Sequence, residues 1–532
     1  MIKRLLILLI LLVAVPCWGA NVYIDPLCGT GAPHYACGDG TSYTTPEDDW
    51  DDLTVTAGND YRQLCGTTFT DKINNITANG TSENYIIIGA YYISGGNPVH
   101  EDDSPTFGQD CGNAVEKPKI DTSGEIGKAS DTITLTGNYL EVNSLQFYSL
   151  NTALYHRDII DNRGDYNIVR YVYIVGGFYG VRSYGNYGTY EYNYMDGTEN
   201  DADSDEIGMA DPFGFSGSDY CTVQYNVVGN YDHGGVGLHY SDNNTIQYNY
   251  FFMGAEGGED FAWSIAGPSS VFSPGAGSDN NTFQYNYSDN AGKGFQLWAG
   301  LGNVINANVF KCNGPVQPGG GNGSCIDIYS QSGDPYTGSY ITGNYFYNNV
   351  VYDSDRVAAT HSMRIYVPAG ADASNDISGN FFVNNIFQKT SGNCIFVLDS
   401  QGSVVGTNYW YNNSCYDNGD DYADIAGVPY SDAEAFNALD FATGNIDTDP
   451  GLNDPAGNEF WPASTGSAVY QAGYDVGAPY DTLLLSTSNF TASPPSVLTD
   501  QFANDYIGAY GLVGAGTPTY PIQGAAGNFK LN

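Results

Sequence analysis

The chain has 532 residues and a formal net charge of −43, from 60 acidic and only 17 basic side chains, with 67 glycines and 45 tyrosines taking up much of the remaining composition. A field of that sign repels nucleic acid and anionic membrane, and it repels polyanionic polysaccharide unless a cation bridges the two.

The first segment, 1–20, opens on Lys3-Arg4, continues with an apolar run over 5–15 and ends in Pro16-Cys17-Trp18-Gly19-Ala20. This is the pattern of a secretory signal peptide cleaved after Gly19 or Ala20. The run is short for a membrane span and no stop-transfer pattern follows, so no membrane insertion is expected once the signal is removed. Val15-Pro16 lacks the small residues that lipoprotein processing at Cys17 would need. The expected destination is outside the cytoplasm: secreted, periplasmic or on the cell surface.

Residues 21–130, rich in Gly and Asp with Pro26 near the start, read as a strand- and loop-rich cap. Over 131–430 a phrase recurs: CTVQYNVVGN from Cys221, NTIQYNYFF from Asn244, NTFQYNYSDN from Asn281, NVINANVF from Asn303, ITGNYFYNN from Ile341 and ISGNFFVNN from Ile377. Taking Asn193, Asn226, Asn249, Asn286, Asn308, Asn344, Asn380 and Asn412 as its closing residues gives gaps of 33, 23, 37, 22, 36, 36 and 32. The short gaps set a unit that holds three short strands with tight bends, and the long ones add a surface loop. Alternation within NTIQYNYF puts Ile246, Tyr248 and Tyr250 on one face, with Thr245, Gln247 and Asn249 on the other. Asn and Gly at the bends tolerate left-handed backbone, and stacked Asn amides can satisfy one another. Residues 431–532 read as the coil's end and a closing tail.

This repeat resembles the right-handed parallel β-helix of the pectate-lyase-like superfamily. The phrase Val22-Tyr23-Ile24-Asp25-Pro26 is similar to the start of secreted bacterial members. Gly466-Ser467-Ala468-Val469-Tyr470-Gln471-Ala472-Gly473 and Tyr506-Ile507-Gly508-Ala509-Tyr510 are similar to their closing phrases, although the first lacks the family's Pro and Asp. The resemblance implies an all-β solenoid and leaves the activity open, because this architecture hosts unrelated functions.

Export implies oxidised cysteines. Ten cysteines less Cys17 leave nine. Local spacing suggests Cys28–Cys37, Cys65–Cys111, Cys312–Cys325 and Cys394–Cys415, with Cys221 left over inside a coil; spacing alone does not fix connectivity.

If the coils stack, Gly-led strands stack with them. Alternation then predicts two outward columns: Arg182, His239, Gln296, Asp327 and Arg364 in one, Tyr184, Trp298, Tyr329 and Tyr366 in the other. An aromatic platform beside amide, carboxylate and guanidinium groups suits the apolar faces and hydroxyl rims of sugars. Exposed tyrosines that merely stiffen a sheet would give the same pattern. The expected substrate-binding residues are Tyr184, Gln296, Trp298, Tyr329 and Tyr366.

For metal, Asp201, Asp203, Asp205 and Glu206 crowd one loop, and the alternating Asp residues resemble the opening of a calcium loop. Gly208 falls late for that motif and its closing Glu is absent, so a solvated acidic loop remains open. For catalysis, polygalacturonases of this fold carry Gly-His-Gly and Arg-Ile-Lys; here His233 follows Asp232, and only Arg364-Ile365-Tyr366 stands for the second, which disfavours that family. In lyases of this fold the resemblance implies a Lys or Arg base with calcium neutralising a uronate carboxylate. Lys293, Arg182, Arg364 and His239 are the candidates for proton transfer and charge stabilisation, with Asp327 the carboxylate in the stripe. The expected function is polysaccharide binding, with β-elimination on a uronate polymer. A non-catalytic adhesive or surface β-helix binding glycan, and a polysaccharide hydrolase, are the alternatives.

Overall fold

The structure, a computed structural model, describes residues 20–511 apart from residue 74 and the stretches 124–130, 150–157, 178, 198–210, 232–233, 253–260, 267–276, 290–292, 314–323, 331–339, 355–360, 370–375, 403–404, 471, 475, 477–482, 486–496 and 499–506. Residues 1–19 of the expected signal peptide and the acidic stretch with Asp201, Asp203, Asp205 and Glu206 lie outside the described residues.

Three long sheets wind around one core. Sheet 1 runs from Asn21–Ile24 to Ala442–Thr443, sheet 2 from Thr68–Phe69 to Ser414–Asn418, and sheet 3 from Ile133–Leu135 to Ala423–Ile425 and on to the edge strand Val428–Tyr430. Each coil supplies one strand to sheet 3, then sheet 1, then sheet 2, as Asp158–Asn162, Ile168–Arg170 and Tyr173–Gly176 do. Successive coils pair in parallel, and two hairpins add antiparallel strands, Asn97–His100 beside Ile86–Ser94 in sheet 1 and Val428–Tyr430 beside Ala423–Ile425 in sheet 3. The architecture is the right-handed parallel β-helix. Segment 21–130 contributes strands to sheets 1 and 2, whereas sheet 3 begins beside residue 131.

The connection from sheet 1 to sheet 2 is two residues in successive coils, for example Tyr225-Asn226 between Thr222–Gln224 and Val227–Gly229. The first of the two is left-handed. Tyrosines fill that place at Tyr171, Tyr192, Tyr225, Tyr248 and Tyr285 (φ 53° to 57°), where sequence alone predicts Asn or Gly. The conformation costs a non-glycine residue roughly 1–2 kcal/mol. Ring stacking at 5.0–5.2 Å along this column offsets part of it.

The second residue of the corner turns inward. Asn286 Oδ1 accepts from the Asn249 backbone N–H and from Asn249 Nδ2, both at 3.0 Å, while Asn286 Nδ2 donates to Ile246 O and to Asn308 Oδ1. All four bonds are buried, so the amide is fully satisfied without water. The ladder continues through Asn349, Asn385, Asn413 and Asn445. This corrects the sequence spacing: Asn344 and Asn380 belong to a second ladder with Asn244, Asn281, Asn303 and Asn408. Asn412 is instead a left-handed corner residue (φ 53°). Adjacent Asn pairs such as Asn348-Asn349 blurred the choice. Cys221 holds a rung of the second ladder, donating its N–H to Asn244 Oδ1 at 2.7 Å while its Sγ accepts from Gly188 N.

All four predicted disulfides are present and Cys221 is free and buried. At the far end the helix Ala433–Asn437 places Phe436 against Trp410, Tyr422 and Tyr430. The tail does more than close that end. Phe460, Val469, Leu483, Leu484, Ile507 and Ala509 form a second core with Tyr287, Val309, Val350 and Ile386, along the outer side of sheet 2.

Both connections flanking sheet 3 vary in length, in contrast to the constant two-residue corner. Sheet 2 to sheet 3 spans three residues between Asp289 and Lys293 but fourteen between Asp196 and Asp211. Sheet 3 to sheet 1 is equally uneven between Ala266 and Thr282. The loops that vary therefore border one face, which is where binding residues are expected.

Candidate functional site

Sheet 3 presents alternating residues to the core and to the outside. Phe295, Leu297, Ile326, Ile328, Met363 and Ile365 are buried in the core. Between them Gln296, Asp327 and Arg364 align coil on coil, followed by Phe396. Two residues further along each strand, Trp298, Tyr329 and Tyr366 form the neighbouring column. Tyr329 stacks on Tyr366 at 5.5 Å and Trp298 tilts onto Tyr329 at 6.5 Å.

The register corrects three of the predicted placements. His239 is not in the polar column: it pairs with Ser216 and Ala266, in line with the aromatics, and Gly237 takes its place beside Ser264 and Gly214. Gly234, Gly235 and Gly237 leave that strand with few side chains to mark its phase. Tyr184 is separated from Trp298 by the coils of Ser216, His239 and Ala266, roughly 19 Å at the usual strand spacing. It belongs with Arg182 and Arg163, whose guanidinium carbons lie 5.0 and 6.0 Å from its ring. Finally, Gln296 and Asp327 are not solvated. They are 4% and 1% exposed, because neighbouring side chains on the same face cover them.

Arg364 accounts for much of that cover. Its Nε and Nη2 grip Asp327 Oδ1 and Oδ2 at 2.9 and 2.7 Å. Its guanidinium carbon lies 4.9 Å from the Tyr366 ring. Burial alone would lower the Arg364 pKa, but the Asp327 carboxylate outweighs it and keeps the guanidinium charged. Burial raises the Tyr329 phenol, so it stays a neutral hydroxyl at physiological pH. Asp327 is thus a buried anion committed to Arg364 rather than a carboxylate open to a substrate. Lys293 starts the strand Lys293–Leu297, half-buried and aligned with Phe261, outside both columns.

Two buried polar atoms in the strip lack any hydrogen-bond partner among the described residues: Gln296 Oε1, an acceptor, and Trp298 Nε1, a donor. They sit two residues apart, Gln296 in the strand Lys293–Leu297 and Trp298 just past its end, on the same outward side. Such atoms cost free energy unless something pairs with them. Sequence gave the residues but not this deficit, which depends on packing.

No protein-family model and no curated protein matches the chain. Among solved structures it is similar to a lacto-N-biosidase from Eubacterium ramulus, at 15% identity over 68% of this chain and 66% of that one, with a TM-score of 0.39. It is also similar to a mannuronic-acid-specific polysaccharide family 6 lyase from the human gut microbiota, at 13% identity over 82% and 93%, TM-score 0.41. A rhamnogalacturonan lyase aligns at 12% identity over 69% and 87%, TM-score 0.42. At these values the likeness is one of coiled architecture, and the strip itself has to carry any functional reading.

Proposed function

We propose that the protein is an exported glycan-binding β-helix whose site is the strip formed by Gln296, Trp298, Tyr329, Asp327, Arg364 and Tyr366. The observation that carries this is the orphaned pair beside the stacked rings. A sugar hydroxyl both donates and accepts, so hydroxyls admitted as the covering side chains shift can pair with Gln296 Oε1 and with Trp298 Nε1. The sugar's C–H face then lies on Tyr329 and Tyr366. An apolar ligand would leave both atoms unpaired, and an anion would satisfy only the donor. Four disulfides fit a protein that works outside the reducing cytoplasm.

The reaction class we attach to this site is β-elimination on a uronate polymer, with Lys293 as the base that takes the C5 proton while the C4–O4 bond breaks and a C4=C5 double bond forms; Arg182, four strand spacings from Gln296, stands too far away to assist. Calcium would offset the repulsion between an acidic chain and an acidic polymer. The commitment of Asp327 to Arg364 argues against a hydrolase using that carboxylate. A non-catalytic wall or adhesin is the competing reading.

A glycan array followed by affinity measurement tests the binding. Trp298→Phe keeps a ring and removes the donor, so it should weaken binding several-fold, and Tyr329→Ala more. Wild-type protein that binds no glycan, or variants that bind as well as wild type, would refute the site. Ultraviolet detection of unsaturated uronate products, lost in Lys293→Ala, separates the lyase from the adhesin.

A further inference from the structure

A second polar cluster stands on the outer side of sheet 3, several coils before the strip. Ile159 and Ile160 are both fully buried in the core, which breaks the strict alternation of the strand Asp158–Asn162. Asp158 and Asp161, three residues apart, thereby emerge on one side, and Asp131 joins them from the preceding coil. The three offer carboxylate oxygens that all lie within 4.8 Å of one another. Asp161 is fully buried, Asp158 is 6% exposed and Asp131 is half-buried.

The neighbouring charges do not satisfy this cluster. Arg163 directs both Nε and Nη2 to a single atom, Asp161 Oδ2, each at 2.7 Å. Arg182 Nη1 stops 3.6 Å from Asp158 Oδ2, too far for a hydrogen bond. Thr134 Oγ1 donates to Asp131 Oδ2 at 3.3 Å. Asp158 Oδ1 and Asp161 Oδ1 are buried and have no partner among the described residues. Three carboxylates thus face two guanidiniums, with two anionic oxygens shut away from water. The cluster is short of positive charge.

We propose that Asp131, Asp158 and Asp161 form a binding site for a calcium-sized divalent cation. Oxygens held about 2.3–2.6 Å from calcium lie up to about 5 Å apart, which matches the spacing of these carboxylates. An all-oxygen, anionic donor set selects a hard cation. Water fills the remaining positions. Its three ligands are distinct from the residues of the glycan strip and from those of the acidic run 201–206.

The test is calorimetric titration of calcium into the full chain after chelator treatment, in about 0.15 M salt to screen diffuse ion attraction. Asp203→Ala serves as the control for the other acidic run. One stoichiometric binding event should survive in Asp203→Ala. It should weaken at least about tenfold in Asp161→Asn and in Asp131→Asn. Asp131 is half-buried, so its variant keeps the test valid if Asp161→Asn fails to fold. Calcium should also raise the Tm of wild type and leave that of Asp131→Asn unmoved. Absence of calcium binding in Asp203→Ala, or undiminished binding in Asp131→Asn, would overturn the site.

Discussion

Arg364 lies one coil beyond Asp327 and holds its carboxylate through two bonds of 2.9 and 2.7 Å, with Asp327 only 1% exposed. A buried pair of this kind is expensive to break from one side, because the remaining charge has no water to turn to. Arg364→Ala should cost about 3–5 kcal/mol, read from the urea midpoint. Replacing both residues, as Arg364→Met with Asp327→Leu, should cost distinctly less. Equal costs would show that Asp327 finds another partner.

The corner ladder makes a sharper stability prediction. Asn286→Ala removes four buried hydrogen bonds and leaves the Asn249 N–H and Asn308 Oδ1 short of a partner. The expected loss is about 2–4 kcal/mol. Gln247 also sits in a side-chain ladder, donating to Gln224 at 2.9 Å, but on the half-buried outer side of sheet 1 where water can substitute. Gln247→Ala should therefore cost about 1 kcal/mol or less. Paired denaturation curves decide, and similar losses would remove the distinction between the two ladders.

Cys221 should be inert in the folded protein. It is buried in a ladder rung, and burial pushes its thiol up to about 12, so almost none is thiolate near neutrality. Alkylation followed by mass spectrometry should label Cys221 only after denaturation, while the four disulfides remain unlabelled without reductant. Rapid labelling in native buffer would contradict the placement.

His361 gives a pH dependence. Its ring stacks on Phe396 at 4.2 Å, and its Nδ1 accepts the Asn393 N–H at 3.1 Å. Burial, then the Arg364 charge, push its pKa down to about 4 from 6.5. Between those values the unfolded chain binds a proton that the folded one does not, so the stability present above pH 6.5 is lost as pH falls toward 4. The contribution is on the order of 3 kcal/mol. His361→Phe should flatten the pH 4–6.5 part of the Tm profile relative to wild type. An unchanged slope would assign the acid sensitivity elsewhere.

Tyr225 tests the corner strain. At φ 57° a β-branched residue is strongly disfavoured, so Tyr225→Val should destabilise by more than about 1 kcal/mol. Tyr225→Gly relieves the strain but loses stacking on Tyr192 and Tyr248, and should come out close to neutral. Thermal melts that rank Gly below Val would reverse the argument.

The sequence by itself determined the coil, because its signals are local and repeated. The phrase NTIQYN encodes a three-residue strand, a left-handed corner and an inward amide, and each copy repeats the instruction. Cysteine spacing and the odd Cys221 were legible for the same reason. Only the tertiary structure decided phase and satisfaction. Whether Asn348 or Asn349 enters the ladder, and whether His239 aligns with Gln296 or with Trp298, turns on one- and two-residue offsets that composition does not record. Strict alternation would put Asp158 and Asp161 on opposite faces; burial of both Ile159 and Ile160 brings them to the same one. The unpartnered Gln296 Oε1 and Trp298 Nε1 became visible only once neighbouring coils had closed over them, since the lack of a hydrogen bond is a property of packing between residues far apart in the chain.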